Sequence, residues 1–172
     1  MYVPGMNLFI LRHGLAVERD EFDYASDAGR PLTPKGRKQL RAIAAALRNM
    51  ELHFDAILSS PLVRARETAE IIAAELKLKK RLAFADELKP GTDAKRLVPK
   101  IVRQKPAREN VLLVGHEPDL SELISLLVAG HAGAGFALKK GGLAKLEIEE
   151  LCCGKCATLA WLLTPAQMKL MV

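Results

Sequence analysis

Short apolar runs alternate with amphipathic helical segments along most of this chain, and this alternation limits the possible folds more than any other feature. Apolar runs of this length are typical of strands buried on both faces of a parallel sheet. Alternating strands and helices predict an α/β layered domain. The predicted strands cover residues 7–11, 54–59, 82–84, 111–114, 143–148 and 158–163, and the predicted helices cover about 34–50, 61–76, 93–102 and 117–128.

Two of the predicted helices begin with a hydroxyl residue followed by proline, at Thr33-Pro34 and at Ser60-Pro61. Threonine and serine are favoured N-caps, and proline is favoured at the first helical position. We therefore predict that Thr33 and Ser60 cap these helices. At the other end of the chain, residues 143–148 and 158–163 resemble a hairpin, which predicts an antiparallel edge on an otherwise parallel sheet.

Length and composition narrow the functional classes. The chain has 172 residues, which fits a single domain covering 1–172. Its net charge of +6 favours anionic substrates. Aromatic residues make up only 5% of the chain, which argues against a single-strand nucleic-acid platform, and no nucleic-acid recognition motif is present. No apolar run is long enough to cross a bilayer, and the N-terminus does not resemble a signal peptide. We expect a cytoplasmic monomer.

The three cysteines, Cys152, Cys153 and Cys156, lie together in one short segment. This spacing is not that of a disulfide framework. A zinc site usually takes four ligands, and only His131 is available as a fourth. A turn with reduced thiols is therefore the favoured interpretation, with a metal site as the alternative.

Three predicted strands are followed by polar residues suited to binding an anion. The junctions are Arg12-His13-Gly14, residues 59–61 followed by Arg64, and Gly115-His116-Glu117. In an open α/β sheet, ligands bind beyond the carboxyl ends of the strands, where all three junctions are predicted to lie. Arg64 is also predicted to be in the first turn of a helix, whose N-terminus favours anions. The sequence therefore predicts a phosphate site.

His13 is the candidate nucleophile of this site. Guanidinium groups match the equatorial oxygens of a phosphoryl group, which gives Arg12 and Arg64 a binding role. Their positive charge is also expected to lower the pKa of His13 and keep its ring neutral and reactive. Gly14 would let a backbone carbonyl fix the tautomer of that ring. His116 is expected to stabilise charge on the transferring group.

The sequence resembles the histidine phosphatase superfamily, also called the phosphoglycerate-mutase-like family. The motifs that carry the resemblance are LRHG at 11–14, LTPKG at 32–36, SSPLVRARETA at 59–69 and VGHEP at 114–118. The stretch KKGGLAKLE at 139–147 is similar to the small, SixA-like branch of that family. The resemblance implies a three-layer α/β/α sandwich, a reaction through phosphohistidine on His13 and no metal or other cofactor.

The chain departs from the family pattern at one position, and the sequence does not decide which residue serves as the general acid. Many family members carry an asparagine six residues after the nucleophile, where this chain has Arg19, which either contacts phosphate or points into solvent. The family often supplies a glutamate as general acid before the third helix, and Glu87 fits that position. Glu18 and Asp20 are the rival candidates. The sequence does not decide whether Lys139 and Lys140 line the pocket.

The uncertain general acid bears on the substrate. A departing imidazole, with a reference pKa of about 6.5, needs less acid assistance than a sugar alkoxide. The chain also lacks room for a long lid over the site. Both features favour phosphohistidine on a partner protein, such as a histidine-phosphotransfer domain. The alternatives are a broad small-molecule phosphomonoesterase, a phosphoanhydride hydrolase and, outside the enzymes, a phosphate-binding module without turnover. No specific nucleic acid or membrane partner is expected.

Overall fold

The computed structural model describes residues 5–18, 27–102 and 109–172. Within these residues the chain alternates between strands and helices, as predicted. The strands are β1 Met6–Arg12, β2 Ala56–Ser59, β3 Leu82–Phe84, β4 Asn110–Gly115, β5 Leu143–Ile148 and β6 Ala157–Leu163. The helices are α1 Pro34–Asn49, α2 Val63–Glu75, α3 Ala94–Val102, α4 Asp119–Ala129 and α5 Pro165–Lys169, and short 3-10 turns cover Asp27–Gly29, Lys79–Arg81 and Asp86–Leu88.

The strands form one sheet in the order β3-β2-β4-β1-β5-β6. The pairs β3–β2, β2–β4 and β4–β1 are parallel. Strand β5 is antiparallel to β1, and β6 is antiparallel to β5. The mostly parallel sheet with an antiparallel edge is therefore confirmed.

Successive side chains of a strand point to opposite faces of the sheet, and they pack into two separate hydrophobic cores, one on each face. In β1, Leu8 and Ile10 pack with residues of α3 and α4, whereas Phe9 and Leu11 pack with residues of α1, α2 and α5. All four are 2% exposed or less. Helices on both faces of a mixed sheet confirm the three-layer α/β/α sandwich.

The two predicted helix caps differ in outcome. Thr33 caps α1, because its side chain accepts a hydrogen bond from Gly36 N at 3.0 Å. The prediction for Ser60 is wrong: α2 begins at Val63, and its N-cap position is Leu62, which makes no side-chain cap. Ser60 N instead donates to Val114 O at 2.9 Å, so Ser60 continues the pairing of β2 with β4 before the helix begins.

The cysteine segment forms the connection between β5 and β6, and all three thiols are free. Among the residues that the structure describes, no group of three histidine, cysteine or acidic side chains is placed to hold a metal ion. Over the same ranges, no helix is both long and apolar enough to span a bilayer.

Candidate functional site

The three polar junctions meet at the carboxyl ends of β1, β2 and β4. In the parallel register, Arg12 lies opposite Gly115, and Ser59 lies opposite Val114. The main chain continues this alignment past the strands, since His13 N donates to Gly115 O at 3.1 Å. Backbone pairing therefore brings together residues that are far apart in sequence.

The ring of His13 is fixed by the carbonyl of the next residue. Its Nδ1 lies 2.8 Å from Gly14 O. Because a carbonyl only accepts hydrogen bonds, Nδ1 carries the hydrogen and Nε2 keeps its lone pair. Arg64 Nε donates to Nε2 at 3.3 Å. The nitrogen available for nucleophilic attack therefore lies against a guanidinium group, and the predicted role of the Gly14 carbonyl is confirmed.

Gly14 is held in a tight position beside this ring. Its N–H donates to Thr68 Oγ1 at 3.1 Å, and Thr68 is fully buried on α2. A Cβ atom at position 14 would lie 2.9 Å from Leu40 Cδ1, which is closer than real Cβ atoms come. Glycine therefore leaves room for α1 to pack directly against the segment that carries His13.

The environment keeps His13 neutral at pH 7. Burial lowers the pKa of His13 from 6.5 to about 4; the Gly14 carbonyl acts in the opposite direction, and the charges of Arg64 and Arg12 lower the pKa further. The sequence predicted the direction of this shift correctly but attributed it to the arginines alone. Desolvation is the larger cause, because the residue is only 6% exposed.

All three nitrogens of the Arg64 guanidinium group donate hydrogen bonds at this site. Besides Nε on His13, its Nη1 donates to Asp27 O at 2.8 Å, and its Nη2 donates to Asp27 Oδ2 at 2.9 Å. Its position in the first turn of α2, predicted from the sequence, is confirmed. The side chain is only 5% exposed, so its charge is poorly screened by solvent.

His116 completes the centre from the end of β4. Its ring centroid lies 5.2 Å from that of His13, and its Nε2 lies 2.8 Å from Ser60 Oγ. Burial, followed by the charge of Arg64, lowers the pKa of His116 to about 3. Its Nδ1 is buried and has no hydrogen-bond partner among the described residues. His116 therefore lines the cavity as a neutral ring, and one of its two nitrogens has no partner among the described residues.

Arg12, the last residue of β1, and Lys140, in the turn that precedes β5, line the next side of the site. Arg12 Nη1 donates to Leu138 O at 2.9 Å, while its buried Nε finds no acceptor in the described parts of the chain. Gly141 N contacts the carbonyls of Arg12 and His13, both at 3.1 Å. The sequence did not decide whether Lys139 and Lys140 line the pocket. Lys140 lines the cavity, whereas Lys139 is exposed and is not among the lining residues.

The candidate general acids lie on the margin of the site or outside the described residues. Glu87 shares a small cavity with His116, but its Oε2 accepts from Lys100 Nζ at 2.9 Å, and this hydrogen bond lowers the pKa of Glu87. Glu18 is exposed and lies 3.5 Å from Lys140. Arg19 and Asp20 fall outside the described residues. The catalytic role of Glu87 stays a prediction, and its ion pair holds it ionised.

Sequence reasoning missed two charged residues that line the cavity, Asp27 and Arg30. Asp27 Oδ1 accepts from Arg30 Nη2 at 2.6 Å, and its other oxygen pairs with Arg64. Partial burial raises the pKa of Asp27, but the hydrogen bonds and charges of Arg30 and Arg64 outweigh it, so the pKa lies below its ordinary value. Their spacing of three residues was the available signal, but it lies in a polar stretch interpreted only as a loop.

These side chains surround a cavity of about 170 Å³. The described residues that line it are Arg12, His13, Asp27, Arg30, Arg64, Pro90, His116, Glu117 and Lys140. Arginine and lysine outnumber the carboxylates, so an anion is favoured there. A larger surface groove of about 470 Å³ lies beside α1 and α2, but its Arg37 and Glu67 pair with each other and no histidine lines it.

Comparison with known proteins agrees with this geometry. The sequence pattern of the histidine phosphatase superfamily (branch 1) matches residues 8–89. An uncharacterised protein of Picosynechococcus is 39% identical over 143 residues, which are 83% of this chain and 85% of that protein. The phosphohistidine phosphatase SixA of Escherichia coli is 29% identical over 167 residues, covering 96% of this chain and 98% of that one. A structure of the histidine phosphatase SixA with tungstate superposes with a TM-score of 0.80 at 28% identity, covering 94% of this chain and 98% of that one.

Proposed function

The chain belongs to the histidine phosphatase superfamily and is a phosphatase, and on that premise we propose that it hydrolyses phosphohistidine on a partner protein through a phosphoryl intermediate on His13. The observation that carries the proposal is the arrangement of His13, with hydrogen on Nδ1 against Gly14 O at 2.8 Å and an unprotonated Nε2 that accepts from Arg64 Nε at 3.3 Å. This is the geometry of a neutral nucleophile beside a fixed anion-binding group.

The reaction has two displacements at phosphorus. His13 Nε2 forms a bond to phosphorus while the bond from phosphorus to the substrate imidazole breaks, and the departing ring takes a proton from solvent. Water then attacks phosphorus, the bond to Nε2 breaks, and inorganic phosphate leaves. Arg12, Arg64 and neutral His116 hold the equatorial oxygens in both steps, where charge develops in the transition state.

The carboxylates around the cavity support a substrate with a good leaving group. Glu87 is ion-paired with Lys100, and Asp27 with Arg30 and Arg64; the pKa values of both lie below their ordinary range. Glu117 accepts hydrogen bonds from Ser121 at 2.6 Å and 3.2 Å. Glu87 and Asp27 are therefore poor proton donors at pH 7. An imidazole, with a reference pKa of about 6.5, departs with less help than a sugar alkoxide.

The size of the cavity supports a phosphoryl group displayed on a larger molecule. Pockets that enclose whole small molecules usually measure about 300–1,000 Å³. The cavity formed by the described residues has about 170 Å³. It accommodates a phosphoryl group and little else, so a protein substrate is favoured over a small metabolite.

Metal independence is part of the proposal. In this site Arg12, Arg64, Arg30 and Lys140 supply the positive charge that a metal ion supplies in other phosphatases. We expect turnover to be unchanged by excess chelator. Activity that is lost in chelator and restored by a divalent cation would contradict this part.

The substrate is tested by comparing kcat/KM on a phosphorylated histidine-phosphotransfer domain, p-nitrophenyl phosphate, a sugar phosphate and pyrophosphate. We expect the highest kcat/KM on the phosphohistidine domain. More efficient cleavage of the sugar phosphate or the anhydride would establish the small-molecule alternatives instead.

The intermediate is tested by quenching labelled substrate during turnover. We expect acid-labile label on His13, absent from His13→Ala and retained in His131→Ala. His131 is a matched control because its Nδ1 also lies 2.8 Å from the carbonyl of the next residue, Ala132, but the ring is exposed. Tight phosphate binding without label or turnover would indicate a binding module.

A further inference from the structure

Ser60 places a buried hydroxyl between the main chain and a ring of the site. It is 0% exposed and lies between the end of β2 and the start of α2. Its Oγ accepts from Leu62 N at 3.3 Å and lies 2.8 Å from His116 Nε2. Because Ser60 does not cap α2, its hydroxyl contacts only Leu62 N and His116 Nε2 among the described residues, and the contact with His116 is the shorter one.

The number of available hydrogens determines whether Ser60 Oγ or His116 Nε2 donates in their contact. A serine hydroxyl has one hydrogen and two lone pairs. Leu62 N–H occupies one lone pair. If the hydroxyl donates to His116 Nε2, both of its contacts are satisfied. If the ring donated instead, the hydroxyl hydrogen would be buried without an acceptor in the described residues, which is unfavourable.

Donation by Ser60 determines where His116 carries its own hydrogen. A neutral imidazole has one N–H, and burial together with Arg64 keeps His116 neutral. With Nε2 accepting, the hydrogen is on Nδ1, the buried nitrogen for which the described residues offer no partner. A phosphoryl oxygen accepts from an N–H but is repelled by a lone pair. The opposite tautomer would therefore weaken the anion site.

We propose that Ser60 is a positioning residue, whose hydroxyl holds His116 in the Nδ1–H tautomer so that the ring donates to a phosphoryl oxygen while remaining uncharged. The proposal rests on the proposed function for the identity of the anion. Both site histidines then carry hydrogen on Nδ1 for opposite purposes. His13 keeps Nε2 unprotonated for attack on phosphorus, and His116 keeps Nδ1–H available to donate to a phosphoryl oxygen.

The test combines nitrogen NMR with kinetics at pH 7. Chains labelled with ¹⁵N-histidine are compared as wild type, Ser60→Ala, Ser60→Thr and Ser59→Ala, with and without inorganic phosphate. We expect wild-type His116 to show hydrogen on Nδ1 and a bare Nε2, with the Nδ1–H signal shifting on phosphate addition. Ser60→Ala should move His116 toward the other tautomer and lower kcat on p-nitrophenyl phosphate by on the order of 10- to 100-fold.

Two variants separate positioning from a general effect of losing a buried hydroxyl. Ser60→Thr keeps the hydroxyl and should keep both the tautomer and kcat within about threefold of wild type. Ser59→Ala removes the equally buried neighbouring hydroxyl, whose one contact among the described residues is donation to Ser60 O at 2.9 Å, and should change neither readout. A fall in kcat for Ser59→Ala as large as that for Ser60→Ala would overturn the proposal.

The wild-type spectrum alone also decides the matter, even if a variant fails to fold. Hydrogen on Nε2 of wild-type His116, or on both nitrogens, overturns the proposal. So does an unchanged tautomer in folded Ser60→Ala. Failure of the proposed function gives a different result: a small phosphorylated compound is cleaved more efficiently than phosphohistidine, or no compound is turned over by any form, while the tautomer is still measured.

Discussion

The site has two regions built in different ways. The phosphate floor consists of Arg12, His13, Arg64 and His116, which are placed by strand ends and by the first turn of α2. The acidic rim consists of Asp27, Glu87 and Glu117, which lie on connecting segments. His13, Arg64 and His116 are 6% exposed or less, whereas the side chains of Asp27 and Glu87 are 34% and 28% exposed.

The two regions also differ in what they can do with a proton. On the floor, burial keeps both histidines neutral, which leaves one lone pair for attack and one N–H for donation. On the rim, Glu87 and Asp27 are held ionised by cationic neighbours. The floor is therefore equipped for phosphoryl transfer, and the rim contributes little to protonating a leaving group. This difference is the physical reason for favouring a substrate that leaves easily.

The largest effect is expected from removing the nucleophile of the floor. His13→Ala should lower kcat by about 10⁴-fold or more on every substrate, because no other group of the floor can form the bond to phosphorus. Rates are measured on p-nitrophenyl phosphate beside His131→Ala, which should match wild type. Substantial turnover in His13→Ala would place the nucleophile elsewhere.

The second-largest effect separates the positive charge of Arg64 from the forked shape of its guanidinium group. Arg64→Lys keeps the positive charge but loses the fork that contacts His13 and Asp27 together, so kcat/KM should fall by about 10²-fold or more. Arg66→Lys is the control on the same helix, since Arg66 is about half exposed and pairs only loosely with Glu70 at 3.8 Å. Full activity in Arg64→Lys would show that positive charge alone is sufficient.

The third effect concerns stability and pH. The folded chain holds His13 neutral down to about pH 4, whereas the unfolded chain binds a proton near pH 6.5. Because the unfolded state binds more protons between these values, the free energy of unfolding should fall as pH drops from 6.5 to 4. His13 accounts for about 3 kcal/mol of this loss. Urea unfolding of wild type and His13→Gln measures it: the wild-type curve should fall more steeply, and parallel curves would contradict the expectation.

The sequence predicted the floor because strands and their ends are local features. Apolar runs predicted the strands, and parallel pairing then brought Arg12, Arg64 and His116 to one edge without knowledge of any side-chain contact. The local pattern was misleading at Ser60, because Ser-Pro before a helix is typical of a cap. Here main-chain pairing of Ser60 with Val114 delays the helix and directs the hydroxyl to His116.

The rim was less predictable because its chemistry depends on partners that no local pattern reveals. Glu87 fits the expected position of an acid, but its ion pair with Lys100 joins a 3-10 turn to α3 thirteen residues later. Asp27 is joined to Arg64, 37 residues away. The pKa of a carboxylate depends on such neighbours, so its role could not be derived from its position in the sequence alone.

The smallest expected effect tests whether the acidic rim contributes to catalysis. Glu87→Gln should change kcat on phosphohistidine by less than about threefold, because a carboxylate held ionised by Lys100 has no proton to donate and imidazole needs little help. Lys100→Gln removes the cation, so the pKa of Glu87 should rise toward its ordinary value and hydrolysis of an alkyl phosphate should increase by a few-fold. The double variant serves as the control and should lose that gain. A tenfold loss on phosphohistidine in Glu87→Gln would show instead that Glu87 supplies the proton, and the distinction between floor and rim would fail at this residue.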